Sequence, residues 1–302
     1  MSGRRRLRSF VGLVLVACVA AAVVDLDRDI AAADLVLTAV QPGGSARFQP
    51  GRPGTIFVLV VGSDERPGLG GARGDGLHVI GLNPGLGRAT LLNIPRDTYV
   101  DIPGHGRGRV NEAYNYGGPQ LQAQTVQALT GAPIRYVLTT TFVGLVAMVD
   151  ALGGLEVDVP YPMHNPKAGT DFSPGRQSLG GAHVLAFARD RDTPAGDFDR
   201  TANQGQLIIH ALESLRRKGA SGADVVRYLD VLFRNVRTEG VSATELYQLA
   251  RAGLALDPGA VRNVTLPGRT GQVGASSVVF IRQPEAGGLF ADFVDDAVLQ
   301  TH

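Results

Sequence analysis

Seven consecutive residues, Thr55-Ile56-Phe57-Val58-Leu59-Val60-Val61, are all β-formers and none is charged. An alternating strand would leave one face polar. A continuous run needs cover on both faces and reads as a buried strand. The run stops at Gly62, and the acidic stretch Ser63-Asp64-Glu65-Arg66 follows at once. The rest of the chain supplies both the strands and the helices that such a strand needs around it. His78–Leu82 and Thr90–Ile94 read as further strands, joined by the turn Asn83-Pro84-Gly85-Leu86-Gly87. Pro119–Leu129 carries leucine and valine at helical spacing and ends at Gly131. Arg135–Thr140 is strand-like, and Phe142–Leu152 is helical up to Gly153-Gly154. Leu155–Val159 alternates like a strand until Pro160 stops it, and the polar residues 161–178 read as a surface loop.

His183–Ala188 is a short apolar segment leading into Arg189-Asp190-Arg191. A long helix is expected from about Phe198 to Arg217. Ser242-Ala243-Thr244-Glu245 is a capping box that opens another helix. Val261–Leu266 and Ser276–Ile281 read as late strands and Leu289–Leu299 as a final helix. There is no internal repeat and no boundary after residue 55. The pattern predicts a single α/β domain over residues 55–302, with a central mixed β-sheet flanked by helices.

Ahead of that domain the chain changes character. Residues 1–27 read as a membrane anchor or signal: Arg4-Arg5-Arg6-Leu7-Arg8, an apolar run from Phe10 to Val24, then Asp25, Asp27 and Asp29. Positive residues before the apolar run and acids after it fit an inside-to-outside orientation. Three forms stay open. An uncut single-pass anchor is favoured because the apolar run continues past Cys18 to Val24. A lipoprotein signal would use Leu15-Val16-Ala17-Cys18, and a cleaved signal would use Ala20-Ala21-Ala22. Residues 28–54, with Gln41-Pro42-Gly43-Gly44 and Pro50-Gly51-Arg52-Pro53-Gly54, read as an extracytoplasmic stalk. Cys18 is the only cysteine, so no disulfide forms within the chain. A net charge of +1 lacks the basic excess of a nucleic-acid binder, and no nucleic-acid partner is expected.

The chemistry-bearing residues fall in short stretches at strand ends and turns. Asp64 and Asp75 lie near a Gly-rich loop, and two carboxylates from neighbouring loops suit magnesium, with manganese as the alternative. Taken singly, an acid beside a glycine is a turn residue. Arg66, Arg73 and Arg96 nearby shift the reading toward phosphate, which planar guanidiniums grip bidentately. Arg96 follows Ile94-Pro95, and its bland role is an ion pair with Asp97. Arg189 and Arg191 would face one side of an extended segment, with Asp190 facing away. Arg200 and Gln204 share one face of the long helix near its N-terminal end, where anions are favoured. Surface arginines remain the bland reading for both pairs. The six histidines show no zinc-type spacing, and there is no Walker loop, dinucleotide fingerprint or esterase elbow.

As an ordered set, five stretches resemble the LytR-CpsA-Psr family. They are Val61–Arg66, Leu92-Asn93-Ile94-Pro95-Arg96-Asp97-Thr98-Tyr99-Val100, Val110-Asn111-Glu112-Ala113-Tyr114-Asn115-Tyr116-Gly117-Gly118, Val149–Gly154 and Gly196-Asp197-Phe198-Asp199-Arg200. The resemblance implies a membrane-anchored enzyme with its catalytic domain outside the cytoplasmic membrane. Such an enzyme moves a glycopolymer from a polyprenyl-pyrophosphate donor onto a peptidoglycan acceptor. It places Mg2+ on Asp64 and Asp75, and the pyrophosphate on Arg96, Arg189, Arg191, Arg200 and Gln204. Arg66, Arg73 and Arg109 come in as further substrate-binding residues. Apolar segments such as Val137–Val149 and Val184–Phe187 would line a lipid pocket, unless they are core. The family pattern departs at Gly74, Gly76, Gly180, Asn203 and Gly205. The departures at Gly74, Gly76, Asn203 and Gly205 support an alternative reading as a non-catalytic, membrane-tethered binder of prenyl phosphates or glycopolymer. A GC-rich composition, with Lys167 and Lys218 the only lysines, points to an actinobacterial source.

Overall fold

The computed structural model describes residues 35–40, 54–64, 73–151, 153–218 and 236–300. The anchor at 1–27, Cys18 and Arg66 lie outside the described residues. In chain order the strands and helices are β1 (Leu35–Ala39), β2 (Ile56–Ser63), β3 (Gly74–Asn83), β4 (Arg88–Asn93), β5 (Tyr99–Ile102), β6 (Gly106–Arg109), α1 (Glu112–Thr130), β7 (Tyr136–Thr141) and α2 (Phe142–Ala151). Then come β8 (Leu155–Val159), β9 (Met163–Asn165), β10 (Thr170–Phe172), β11 (Gly175–Leu179), α3 (Gly181–Arg189) and α4 (Asp197–Lys218). The chain closes with β12 (Val236–Glu239), α5 (Ala243–Ala255), β13 (Val261–Thr265), β14 (Gly268–Val273), β15 (Ser276–Ile281) and α6 (Glu285–Asp296). The fold is mixed α/β. The chain divides into two compact units, one of residues 36–142 with 262–302, the other built around 143–261.

In the first unit six strands of the central sheet run in the order β1-β7-β2-β3-β4-β13. β2 is parallel to β7 and antiparallel to β3, so the sheet is mixed. Phe57, Val58, Leu59 and Val61 are all buried, as a run without alternation requires. The β3–β4 hairpin turns where the sequence predicts: Asn83 Oδ1 accepts from Leu86 N at 3.1 Å, and Gly87 sits at φ 63°. α1 is two segments in one. Gly118 at φ 59° breaks it, and Pro119 restarts it, at a first-turn position that needs no N–H donor. Phe293 of α6 meets Phe57 edge-on at 5.2 Å between centroids. That approach needs Gly81, where a Cβ would lie 2.6 Å from the Phe293 ring.

Several elements differ from the expectation. Leu35–Ala39 falls within the expected stalk, yet it pairs with β7, because Leu35 and Leu37 present a buried alternating face. Residues 161–178 are not a plain loop. β9 and β10 form a small hairpin there, and β11 pairs with β8 in the second unit. Short polar strands carry too few apolar residues to be seen in sequence. His183–Ala188 belongs to the helix α3, and the final helix starts at Glu285 and ends at Ala297, whose φ is 66°. The long helix and the Ser242–Glu245 capping box stand where expected.

Candidate functional site

The first set of candidate residues gathers where β2 and β3 open. Gly62 pairs with Gly76 and Ser63 with Gly74, so Asp75 is the extra residue of a β-bulge. A bulge re-aims a side chain, and bulges recur beside active sites. Asp75 therefore lies on a strand, not in the Gly-rich loop. Its Oδ2 accepts from Arg96 Nη1 and its Oδ1 accepts from Asn111 Nδ2 at 3.2 Å. Asp97, the expected partner of Arg96, is the weaker one, at 3.8 Å from Nε. Asp64 and Arg73 bond each other: Arg73 N donates to Asp64 Oδ1 at 2.7 Å, and Asp64 N donates to Arg73 O at 3.1 Å.

Arg109, at the end of β6, donates from Nε to Glu112 Oε1 at 2.9 Å and lies 3.5 Å from Asp97 Oδ1. Burial works against its charge. The bond to Glu112 and the charges of Glu112, Asp97 and Asp75 outweigh that and hold the guanidinium above its ordinary pKa. Asn111 and Glu112 were not among the expected site residues, although both stand in a recognised motif. Asn111 is 1% exposed, and its N–H also donates to Arg96 O at 3.2 Å. Gly74, a departure from the family pattern, has a packing cause. A Cβ there would meet Val61 at 3.1 Å and Gln122 Oε1 at 3.2 Å.

The second set lies in the other unit. Arg200 is 3% exposed, and its Nε donates to Asp197 Oδ1 at 2.8 Å. Asp197 and Arg200 stand three apart on α4, a spacing legible in sequence. Arg191 lies 3.6 Å from the same oxygen, with half its side chain in solvent. Arg189 and Arg191 do not sit on one extended segment: Arg189 ends α3, and Asp190 is its C-cap. Asp190 points inward and is fully buried, accepting from Thr170 Oγ1 at 2.5 Å and Asn165 Nδ2 at 2.7 Å. Gln204 Nε2 donates to Ala188 O at 2.7 Å, which ties α4 to α3.

Asn203 Nδ2 donates to the Tyr161 hydroxyl at 3.0 Å. Burial raises the Tyr161 pKa, and the charges of Asp199 and Asp190 add to that against the bonds from Asn203 and Thr193. No sequence signal marked Tyr161. Of the expected lipid-lining segments, Val184 and Phe187 are fully buried core, while Val143 of α2 is 63% exposed. His210 accepts from Asp158 N at 3.3 Å and His78 bonds Asn93 at 2.7 Å, both structural roles.

Among the described residues no group of three or more His, Cys, Asp or Glu side chains is placed to hold a metal. Asp64 and Asp75 are the carboxylates of the first set that would hold a hard divalent cation. The side chains of Asp64, Asp75, Asp97 and Glu112 carry four negative charges, and those of Arg73, Arg96 and Arg109 carry three positive ones. That set carries no surplus positive charge to neutralise a pyrophosphate unaided. Magnesium is commonly held by one or two carboxylates and completed by phosphate and water.

The first set thus presents a bulge-borne carboxylate within an arginine network on a mixed α/β fold. The LytR_cpsA_psr family model matches residues 38–292, and the chain belongs to that family. It is 36% identical over 218 residues to the probable cell wall biosynthesis protein LcpB of Corynebacterium glutamicum, a match covering 67% of this chain and 52% of that protein. It is 37% identical over 188 residues to the polyisoprenyl-teichoic acid–peptidoglycan teichoic acid transferase TagU of Bacillus mycoides, covering 61% of this chain and 60% of that one. The chain thus spans only 52–60% of these relatives. The crystal structure of B. subtilis TagV superposes with a TM-score of 0.67 at 24% identity, covering 80% of this chain and 96% of that one, a likeness of fold.

Proposed function

We propose that this protein is an extracytoplasmic, Mg2+-dependent phosphotransferase. It moves a glycopolymer from a polyprenyl-pyrophosphate carrier onto peptidoglycan. One observation carries the reading: the bulge at Asp75 joins Arg96 and Asn111, from two separate family motifs, in one hydrogen-bonded network. Two relatives point the same way, one named for cell wall biosynthesis and one for teichoic acid transfer to peptidoglycan.

A peptidoglycan sugar hydroxyl attacks the phosphorus next to the glycan. The new P–O bond forms, the bridging oxygen leaves with the polyprenyl phosphate, and the hydroxyl proton is released. Arg96, preset by Asp75, and Arg109, preset by Glu112, hold phosphate oxygens. Arg189, Arg191, Arg200 and Gln204 are assigned to phosphate oxygens as well, with Arg66 and Arg73 as further substrate contacts. Asp64 and Asp75 would hold magnesium, which supplies positive charge to the pyrophosphate oxygens. Preorganised donors of this kind stabilise charge where it develops. With water in place of the sugar hydroxyl, the same bond is hydrolysed as a side reaction. The exposed Val143 side of α2 is assigned to the prenyl chain, and residues 1–27 to a single-pass anchor. Among the described residues no helix is long and apolar enough to cross a membrane.

Two of the departures that favoured a mere binder have local explanations. Gly74 leaves room for Val61 and Gln122, and Asn203 holds Tyr161. The test is incubation of the purified protein with a radiolabelled polyprenyl-pyrophosphate glycan, peptidoglycan fragments and Mg2+. Label should move to the fragments. Retention of all label on the lipid, with tight binding, would establish the binder instead.

A further inference from the structure

Beyond the phosphate-handling residues, the first unit carries an exposed surface with a different chemistry. β6 pairs with β5, and β15 pairs with β14. Thr98, just before β5, bridges Val279 of β15 in parallel, and Val279 N donates to Asp97 O at 2.8 Å. The two hairpins therefore lie side by side. A line of two rings flanked by two guanidiniums crosses them. Arg107 stands 4.6 Å over the Tyr99 ring, Tyr99 meets Phe280 edge-on at 6.0 Å, and Arg269 stands 5.3 Å over Phe280. Phe280 is held flat because it covers Gly271, where a Cβ would lie 2.7 Å from the ring. Arg107 and Arg269 are exposed, and the two rings are half-buried.

Charge sets the kind of partner. From Val261 to Gln283 there are three arginines, Arg262, Arg269 and Arg282, and no acid, while on the β5–β6 hairpin Arg107 lies 3.6 Å from the exposed Asp101. Gln272, Ser276 and Ser277 add exposed amide and hydroxyl groups. Ring faces attract the polarised C–H groups of a sugar, and guanidiniums bind carboxylates bidentately. At Tyr99 the line adjoins the residues assigned to phosphate. Asp97 lies in the turn two residues before Tyr99, and Tyr99 pairs with Arg109 across the ladder.

We propose that this two-hairpin face is the docking surface for the acceptor, a peptidoglycan glycan strand carrying carboxylates. Sugar faces lie on Tyr99 and Phe280, and carboxylates lie on Arg107 and Arg269. The proposal rests on the transferase reading above, and it names where the acceptor sits. The strand then runs toward Asp97 and Arg109 with one sugar hydroxyl delivered to the donor phosphorus.

The test measures binding of soluble, uncrosslinked peptidoglycan strands to the full-length protein in detergent, without donor, so that it does not depend on transfer. The variants are the double Arg107→Gln/Arg269→Gln, which alters only exposed side chains, and Phe280→Leu, which still covers Gly271. Both should weaken strand binding at least tenfold. Acceptor-independent hydrolysis of the labelled donor should stay at the wild-type rate. In the transfer assay the variants should raise the acceptor KM and leave kcat near wild type. Wild-type binding by the double variant, or by Phe280→Leu, overturns the proposal. So does equal affinity for a teichoic acid polymer, which would make the surface a general polyanion site. If the transferase reading fails, donor turnover is absent in the wild type as well, while strand binding still decides this surface.

Discussion

Asp75→Asn keeps the shape of the side chain and removes its charge. For a carboxylate that serves only as a metal ligand beside a second acid, that change would leave the thermal midpoint level or raise it, by relieving like charges. The geometry reverses this expectation. Asp75 and Arg96 are each 16% exposed, and each Asp75 oxygen is used, one by Arg96 and one by Asn111. An asparagine keeps one acceptor oxygen for two donors, so one charge-assisted bond is lost, at about 1.5–3 kcal/mol. Arg96 then relies on Asp97, 3.8 Å away, and its Nε is already buried without a hydrogen-bond partner. A net loss of about 2 kcal/mol lowers the midpoint by about 4–8 °C in a chain of this size. The assay is thermal unfolding by circular dichroism, with and without Mg2+. In the wild type Mg2+ should raise the midpoint, and in the variant that rise should vanish. A metal-free midpoint equal to or above wild type would refute the Asp75–Arg96 argument. An equal Mg2+ response in both proteins would remove Asp75 from the metal site.

Arg96→Lys and Arg200→Lys keep the charge but lose bidentate grip, and each should slow transfer about 30- to 1000-fold, or about 2–4 kcal/mol; near-normal rates in the label-transfer assay, with folding intact, would reject both assignments. Gly81→Ala forces a Cβ against Phe293 and should cost about 1–3 kcal/mol in urea unfolding; a stability equal to wild type would mean that the Phe57–Phe293 contact has room to give. Burial holds the Tyr161 phenol above its ordinary pKa of 10.0, so the folded state keeps that proton more firmly than the unfolded chain. Its contribution to stability is complete below pH 10 and is lost as pH rises beyond it. Tyr161→Phe should flatten that alkaline limb of the stability profile, and an unchanged limb would assign it to other groups.

Much of this protein is legible in one dimension. The unbroken run 55–61 announced a strand buried on both faces, and the Asn83–Gly87 turn, the Ser242–Glu245 capping box and the long helix at Phe198 each follow from residues within a few positions of one another. The candidate residues, too, were legible as a set of motifs. Their partners were not. That Arg96 answers to Asp75, 21 positions away, rather than to its neighbour Asp97 depends on strand pairing. That Asp75 is aimed at all depends on a one-residue bulge between β2 and β3, which no local pattern records. The strand at Leu35–Ala39 looked like part of a stalk because five residues carry little signal until a neighbouring strand completes their hydrogen bonds. The short strands of 161–179 escaped for the same reason, and Tyr161 had no mark of its own until Asn203 of α4 was folded against it. Local propensity and motif spacing act over a few residues and are written in the sequence. Register, bulges and ion-pair choice are settled by groups that only the fold brings within hydrogen-bonding distance.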